Sequence, residues 1–269
     1  MPMRTVRLAV SFLLMFALAA TAAAQDWAKQ TLEKSPRHGE WVQLKNGDRT
    51  VSAFVVYPEV KSKAPAVIVI HEIFGMTEWV QTVADQLAAN GYIAIAPDLL
   101  SGMGPNGGRS NSFTDQNGVR EAISKLPPDQ ITGDLNAAAD YVKKLPASNG
   151  KLAVGGFCWG GSQTFRFATN RPDLKAAFVF YGTAPDSGLD KIAAPVYGFY
   201  GGNDARVDAT IDPTKDKMKA AGKTYDPVTY EGAGHGFMRA GEDPANQNPA
   251  NKTAHDEGWK RWLALLKKL

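Results

Sequence analysis

Lys151-Leu152-Ala153-Val154-Gly155-Gly156-Phe157-Cys158-Trp159-Gly160-Gly161 decides the fold. Lys151 to Phe157 is an apolar run suited to a buried strand, and Gly161 to Asn170 carries a helical pattern. Between them, Gly156-Phe157-Cys158-Trp159-Gly160 is the G-x-S-x-G pattern of a nucleophile elbow with cysteine in the serine position. The flanking glycines have a steric reason, because a sharp strand-to-helix turn brings the positions two residues either side of the nucleophile against backbone. The helix start beyond Cys158 supplies dipole and N–H groups that favour a thiolate. Five residues alone are a weak signal; their strand-turn-helix setting makes it strong.

Outward from the elbow, apolar runs bounded by turn residues recur at Thr50 to Tyr57, Pro65 to His71, Tyr92 to Pro97, Ala176 to Tyr181 and Pro195 to Tyr200. Several are apolar at nearly every position, as strands covered on both faces of a parallel sheet are. Helix patterns alternate with them at Trp79 to Asn90, Pro128 to Leu145 and Asp212 to Ala221. Near the C-terminus Trp259, Trp262, Leu263 and Leu266 form one apolar stripe at i, i+3, i+4 and i+7, which makes the tryptophans core. Alternation around Asn46-Gly47 from Trp41 to Val55 signals a hairpin at the leading edge of the sheet. The segment from Ser101 to Thr114, rich in Gly, Asn and Ser, reads as a long loop after a strand, either a rim or lid or a plain connection. The expected class is α/β, a mostly parallel sheet with helices on both faces.

Two further motifs follow the elbow. Tyr200-Gly201-Gly202-Asn203-Asp204 ends a strand with an acid, and Glu231-Gly232-Ala233-Gly234-His235-Gly236-Phe237 holds a histidine in a glycine-rich loop. Alone, Asp204 is as easily a turn cap and His235 a loop-tip residue. With Cys158 they give the order nucleophile, acid, histidine, which is that of the α/β-hydrolase fold. His38 precedes the fold proper, and His255 is expected on the solvent face of the last helix. His71 lies nearer the chemistry, in His71-Glu72-Ile73-Phe74-Gly75 at the end of a strand. Backbone N–H groups of Ile73 and Trp159 are expected to hold a developing oxyanion. The motif lacks a second histidine at i+4 and no other His/Cys cluster supplies ligands, so no metal or other cofactor is expected.

Composition bounds the rest. Arg4 and Arg7, an apolar run from Leu8 to about Ala20 and Ala22-x-Ala24 have the order of a signal peptide cleaved after Ala24, with a membrane anchor as the alternative. Residues 25–40 then form an N-terminal extension and 41–269 one α/β domain. Loss of the leader lowers the net charge from +3 to +1, and no basic block stands out, which argues against nucleic acid as a partner. An exported protein, periplasmic or secreted, monomeric and off the membrane, is expected. Its single cysteine can form no internal disulfide, so Cys158 is either a packing residue or a nucleophile.

At HEIFG, GFCWG, GGND and AGHGF the chain resembles the dienelactone hydrolase (carboxymethylenebutenolidase) family, from roughly Trp41 to the C-terminus. The resemblance implies Cys158 as nucleophile, His235 as base, Asp204 as orienter, and Glu72 as a group that contacts the resting thiol and helps generate the thiolate. It implies a carboxylate-binding arginine at Arg239. A second arginine does not map: Ser101 and Gly102 stand at its expected place, and Arg109 substitutes only if its loop folds back. Phe74 is expected beside the substrate.

The expected activity is hydrolysis of a small ester or enol lactone through a thioester on Cys158. A broader small-acid esterase or thioesterase shares every catalytic residue, and an exported binding protein that keeps the fold without turnover is the non-enzymatic rival.

Overall fold

The apolar runs assemble into one eight-stranded sheet in a computed structural model that describes residues 26–269; the expected leader, 1–24, lies outside the described residues. The strands are β1 (Gly39–Asn46), β2 (Arg49–Val56), β3 (Ala64–Ile70), β4 (Ile93–Pro97), β5 (Ser148–Phe157), β6 (Ala176–Phe180), β7 (Val196–Gly201) and β8 (Tyr225–Tyr230), in spatial order β1-β2-β4-β3-β5-β6-β7-β8. β1 pairs β2 antiparallel with Asn46 opposite Arg49, and Gly47 takes φ 58° in the turn. β2 also runs antiparallel to β4, and from β4 onward every pairing is parallel. The hairpin expected around Asn46-Gly47 therefore forms the leading edge.

Side-chain alternation splits each buried strand between two cores. Ala66, Ile68 and Ile70 of β3 join the core under α4 (Pro128–Lys144), α5 (Trp159–Asn170) and α7 (Ile211–Ala220). Val67 and Val69 join the opposite core, under α1 (Asp26–Glu33), α2 (Glu78–Ala89) and α9 (Pro249–Leu266). Trp262 is fully buried there, so close to β5 that a Cβ on Gly155 would lie 2.8 Å from its ring. Both faces are covered, which is why the strand runs are apolar throughout. The segment before β1 is tied to α2, where Ser35 Oγ and Arg37 Nε donate to Asp85 Oδ1 at 2.6 and 2.8 Å.

One expectation is sharpened and one is corrected. The loop from Ser101 to Thr114 has internal order and is pinned: buried Asp98 accepts from Ser110 N (3.0 Å) and Ser110 Oγ (2.6 Å), and that hydroxyl accepts from Met76 N. It leads into a helix, α3 (Gln116–Ser124), whose N-cap Asp115 accepts from Asn117 N and Gly118 N. His255 does not face solvent either. It packs on α9 between Glu242 and Asp256, with each ring nitrogen 2.9 Å from a carboxylate oxygen.

Candidate active site

Cys158 joins β5 to α5 with φ 56° and ψ −118°, a left-handed conformation that L-residues adopt only where their surroundings impose it. The glycines around it make the turn possible. A Cβ on Gly156 would meet Gly160 O at 2.3 Å, and one on Gly160 would meet Ile70 O and His71 O at 2.4 Å. Cys158 N donates to Phe180 O (3.0 Å) and its carbonyl accepts from Ser162 N (3.2 Å), so the elbow is fixed from both sides. The thiol is half-buried at the carboxyl edge of the sheet.

Asp204 follows β7 and His235 follows β8, the neighbouring strand, so the topology delivers both to that edge. His235 Nδ1 hydrogen-bonds Oδ2 of buried Asp204. The neighbouring Cys158 sulfur, opposed by burial and reinforced by Asp204, raises the pKa of the imidazole to about 9. The three groups therefore stand in sequence, carboxylate to imidazole to sulfur, and the arrangement can pass a proton from Cys158 to His235 while Asp204 fixes the ring. Tyr181, which sequence reasoning did not single out, closes the site from β6: it is buried, has φ 41°, and meets His235 edge-on at 5.0 Å between ring centroids.

Glu72 lies in the turn after β3 and is 3% exposed. Its Oε2 accepts from Arg239 Nε at 2.9 Å. Burial raises its pKa, while the Arg239 charge and His235 oppose the rise. The structure thus pairs Glu72 with Arg239; among the described residues its carboxylate makes no hydrogen bond to Cys158, unlike the contact the resemblance implied. Phe74 stands beside this pair, with the Arg239 guanidinium 5.2 Å from its ring centroid and that of Arg120 5.1 Å from it. Arg120 comes from α3, the helix that the sequence reading lacked. Arg109 goes elsewhere: its loop does fold back, but its guanidinium lies 3.6 Å over the ring of Trp41 on β1.

Ile73 follows Glu72 in the same turn, and Trp159 is the first residue of α5. Among the described residues, neither backbone N–H has a backbone acceptor. Nor do those residues contain a group of three or more His, Cys, Asp or Glu placed to hold a metal ion, and none of their helices is long and apolar enough to cross a membrane.

The chain is similar to known proteins along most of its length. Residues 51–269 match the profile of the dienelactone hydrolase family. The chain is 35% identical over 271 aligned positions to a Methylorubrum extorquens protein named as a carboxymethylenebutenolidase, covering 96% of this chain and 90% of that one. A Yersinia pestis protein of the same name is 32% identical, covering 84% and 86%. The crystal structure of a dienelactone hydrolase from Klebsiella pneumoniae superposes with TM-score 0.76 at 28% identity, covering 87% of this chain and 99% of that one.

Proposed function

Because this chain belongs to the dienelactone hydrolase family, we propose that it is an exported hydrolase that opens small esters or enol lactones through a thioester on Cys158. The Asp204–His235 hydrogen bond beside Cys158 on the strained elbow carries this reading. His235 takes the thiol proton, the thiolate sulfur attacks the acyl carbon, and the carbonyl π pair moves to oxygen, which the N–H groups of Ile73 and Trp159 receive. The tetrahedral intermediate expels the enolate or alkoxide, which His235 protonates. Water, deprotonated by the same imidazole, then cleaves the thioester and restores the thiol.

Enolates and other stabilised leaving groups depart readily, whereas an alkoxide or amide competes poorly with thiolate expulsion. Activated esters and enol lactones are therefore the substrates, and amides turn over poorly. Arg239 and Arg120, both near the Phe74 ring, favour a substrate that carries its own carboxylate. Export rests on the basic, apolar and small-residue order of residues 1–24.

Trapping tests the reading. Wild-type protein quenched in acid during turnover of an activated ester gains the mass of one acyl group on the peptide containing Cys158. Turnover with acylation confined to another residue, or with none, would contradict it.

A further inference from the structure

His71 is fully buried at the end of β3, yet the mechanism above gives it no part. Its contacts define its protonation. Leu99 N–H can only donate, and it does so to His71 Nε2 at 3.3 Å, so Nε2 is the bare nitrogen. Nδ1 then carries the proton and donates it to Glu72 O at 2.8 Å. Protonating both nitrogens would set two donors against each other at Leu99, and burial lowers the His71 pKa, which keeps the ring neutral.

The acceptor is the significant atom. Glu72 C=O and Ile73 N–H belong to one peptide unit, and in a trans peptide they point in opposite directions. A donor that fixes the carbonyl therefore aims the N–H. Gly75 N also donates to Glu72 O (3.1 Å), so this oxygen accepts two bonds and the peptide plane has no freedom to rotate. Accepting them polarises the unit and makes Ile73 N–H the better donor. The same ring stacks on the Trp159 side chain, with centroids 5.5 Å apart and planes at 17°. One imidazole thus touches both turns that supply the two N–H groups.

We propose that His71 is a positioning residue for the oxyanion site: its Nδ1–H, through Glu72 C=O, orients Ile73 N–H toward the reacting carbonyl. The inference rests on the acyl-transfer reading above and on Ile73 as an oxyanion donor.

The test compares two variants of the full chain. His71→Phe keeps a stacking ring and removes the donor; His71→Asn loses the ring and places an amide N–H where Nδ1 stood. Three quantities are measured: kcat and KM on an activated ester, reversible inhibition by a small aliphatic aldehyde, and the rate of Cys158 alkylation by iodoacetamide. The aldehyde adds the Cys158 sulfur to its carbon and places the new oxyanion in the same N–H site, whereas alkylation needs no such site. His71→Phe is expected to lower kcat about tenfold to a hundredfold, a part of the loss from deleting an oxyanion donor. Aldehyde affinity should fall in parallel, with KM and the alkylation rate within about twofold of wild type. His71→Asn should recover most of kcat.

Folded His71→Phe with unchanged kcat and aldehyde affinity overturns the proposal alone. A parallel loss of alkylation rate also overturns it, because it marks general disruption. If the phenylalanine variant does not fold, the asparagine variant decides: kcat more than about tenfold below wild type in folded protein overturns the proposal. A wild-type protein that hydrolyses ester but forms no reversible aldehyde adduct overturns the acyl-transfer reading, and this inference with it.

Discussion

Arg239 Nε donates to Glu72 Oε2 across 2.9 Å, closing a contact between residues 167 positions apart. It ties the turn after β3 to the short helix Phe237–Ala240 that follows the His235 loop, so the segment carrying Ile73 and the segment carrying His235 are held by one ion pair. Arg239 is partly exposed, but Glu72 is sealed, and removing the cation leaves a carboxylate that has neither water nor partner. Arg239→Ala should cost roughly 3 kcal/mol of stability, and adding Glu72→Gln should recover much of it, since a neutral amide needs no counter-charge. Because protonation also removes the buried charge, Arg239→Ala should lose less stability relative to wild type as pH falls through the carboxyl range. Urea denaturation of the two single variants and the double variant at two pH values measures this.

The His235 proton gives a pH dependence of opposite sense. Its partners raise the folded His235 pKa to about 9, against 6.5 for the unperturbed group, so the imidazole keeps the proton it takes from the thiol across the neutral range. Its contribution to stability is therefore complete below about 6.5 and is lost as pH rises through about 9. Melting temperature should decline across that window in wild type and stay flatter in His235→Gln. The largest cause of the shift is the neighbouring Cys158, so Cys158→Ala should lower the His235 pKa; an NMR titration of the imidazole follows it directly.

Gly160 has backbone against it on the strand side. The 2.4 Å approaches to Ile70 O and His71 O involve atoms that cannot swing away as a flexible side chain can. Gly160→Ala should destabilise by about 3 kcal/mol and, in the fraction that folds, displace the Trp159 amide and lower kcat. Urea midpoints and ester turnover check both effects.

Arg120 is the substrate prediction. With its guanidinium 5.1 Å from the Phe74 centroid, it has no carboxylate partner among the described residues. Arg120→Ala should raise KM about tenfold for an ester bearing a carboxylate, the equivalent of about 1.4 kcal/mol, and leave a neutral ester of equal size unchanged. Equal effects on both substrates would remove Arg120 from recognition.

How much was legible in the sequence depended on the range of the interaction. The elbow around Cys158 was local: two glycines, a cysteine and an apolar strand within a few residues carry the whole signal. The sheet was legible because strands covered on both faces leave continuous apolar runs, and the hairpin because Asn46-Gly47 marks it, although the register puts the turn one residue on, at Gly47-Asp48. Helix α3 was hidden by Gly118 and by a buried face of only Val119 and Ile123, so Arg120 was hidden with it. The order in the loop before α3 comes from Asp98 binding Ser110, a pairing no periodicity reports. The partners of Glu72, His71 and His255 are likewise set by tertiary contacts, and so the resemblance placed Glu72 against the thiol while the structure places it against Arg239.

The central claim is that the Cys158 sulfur makes the covalent bond. Its most direct test is the rate at which purified, folded Cys158→Ala hydrolyses an activated ester that wild type turns over well. The account predicts a loss of at least about a thousandfold, the scale of deleting a nucleophile while the oxyanion donors and binding site remain. Hydrolysis at the wild-type rate would contradict it.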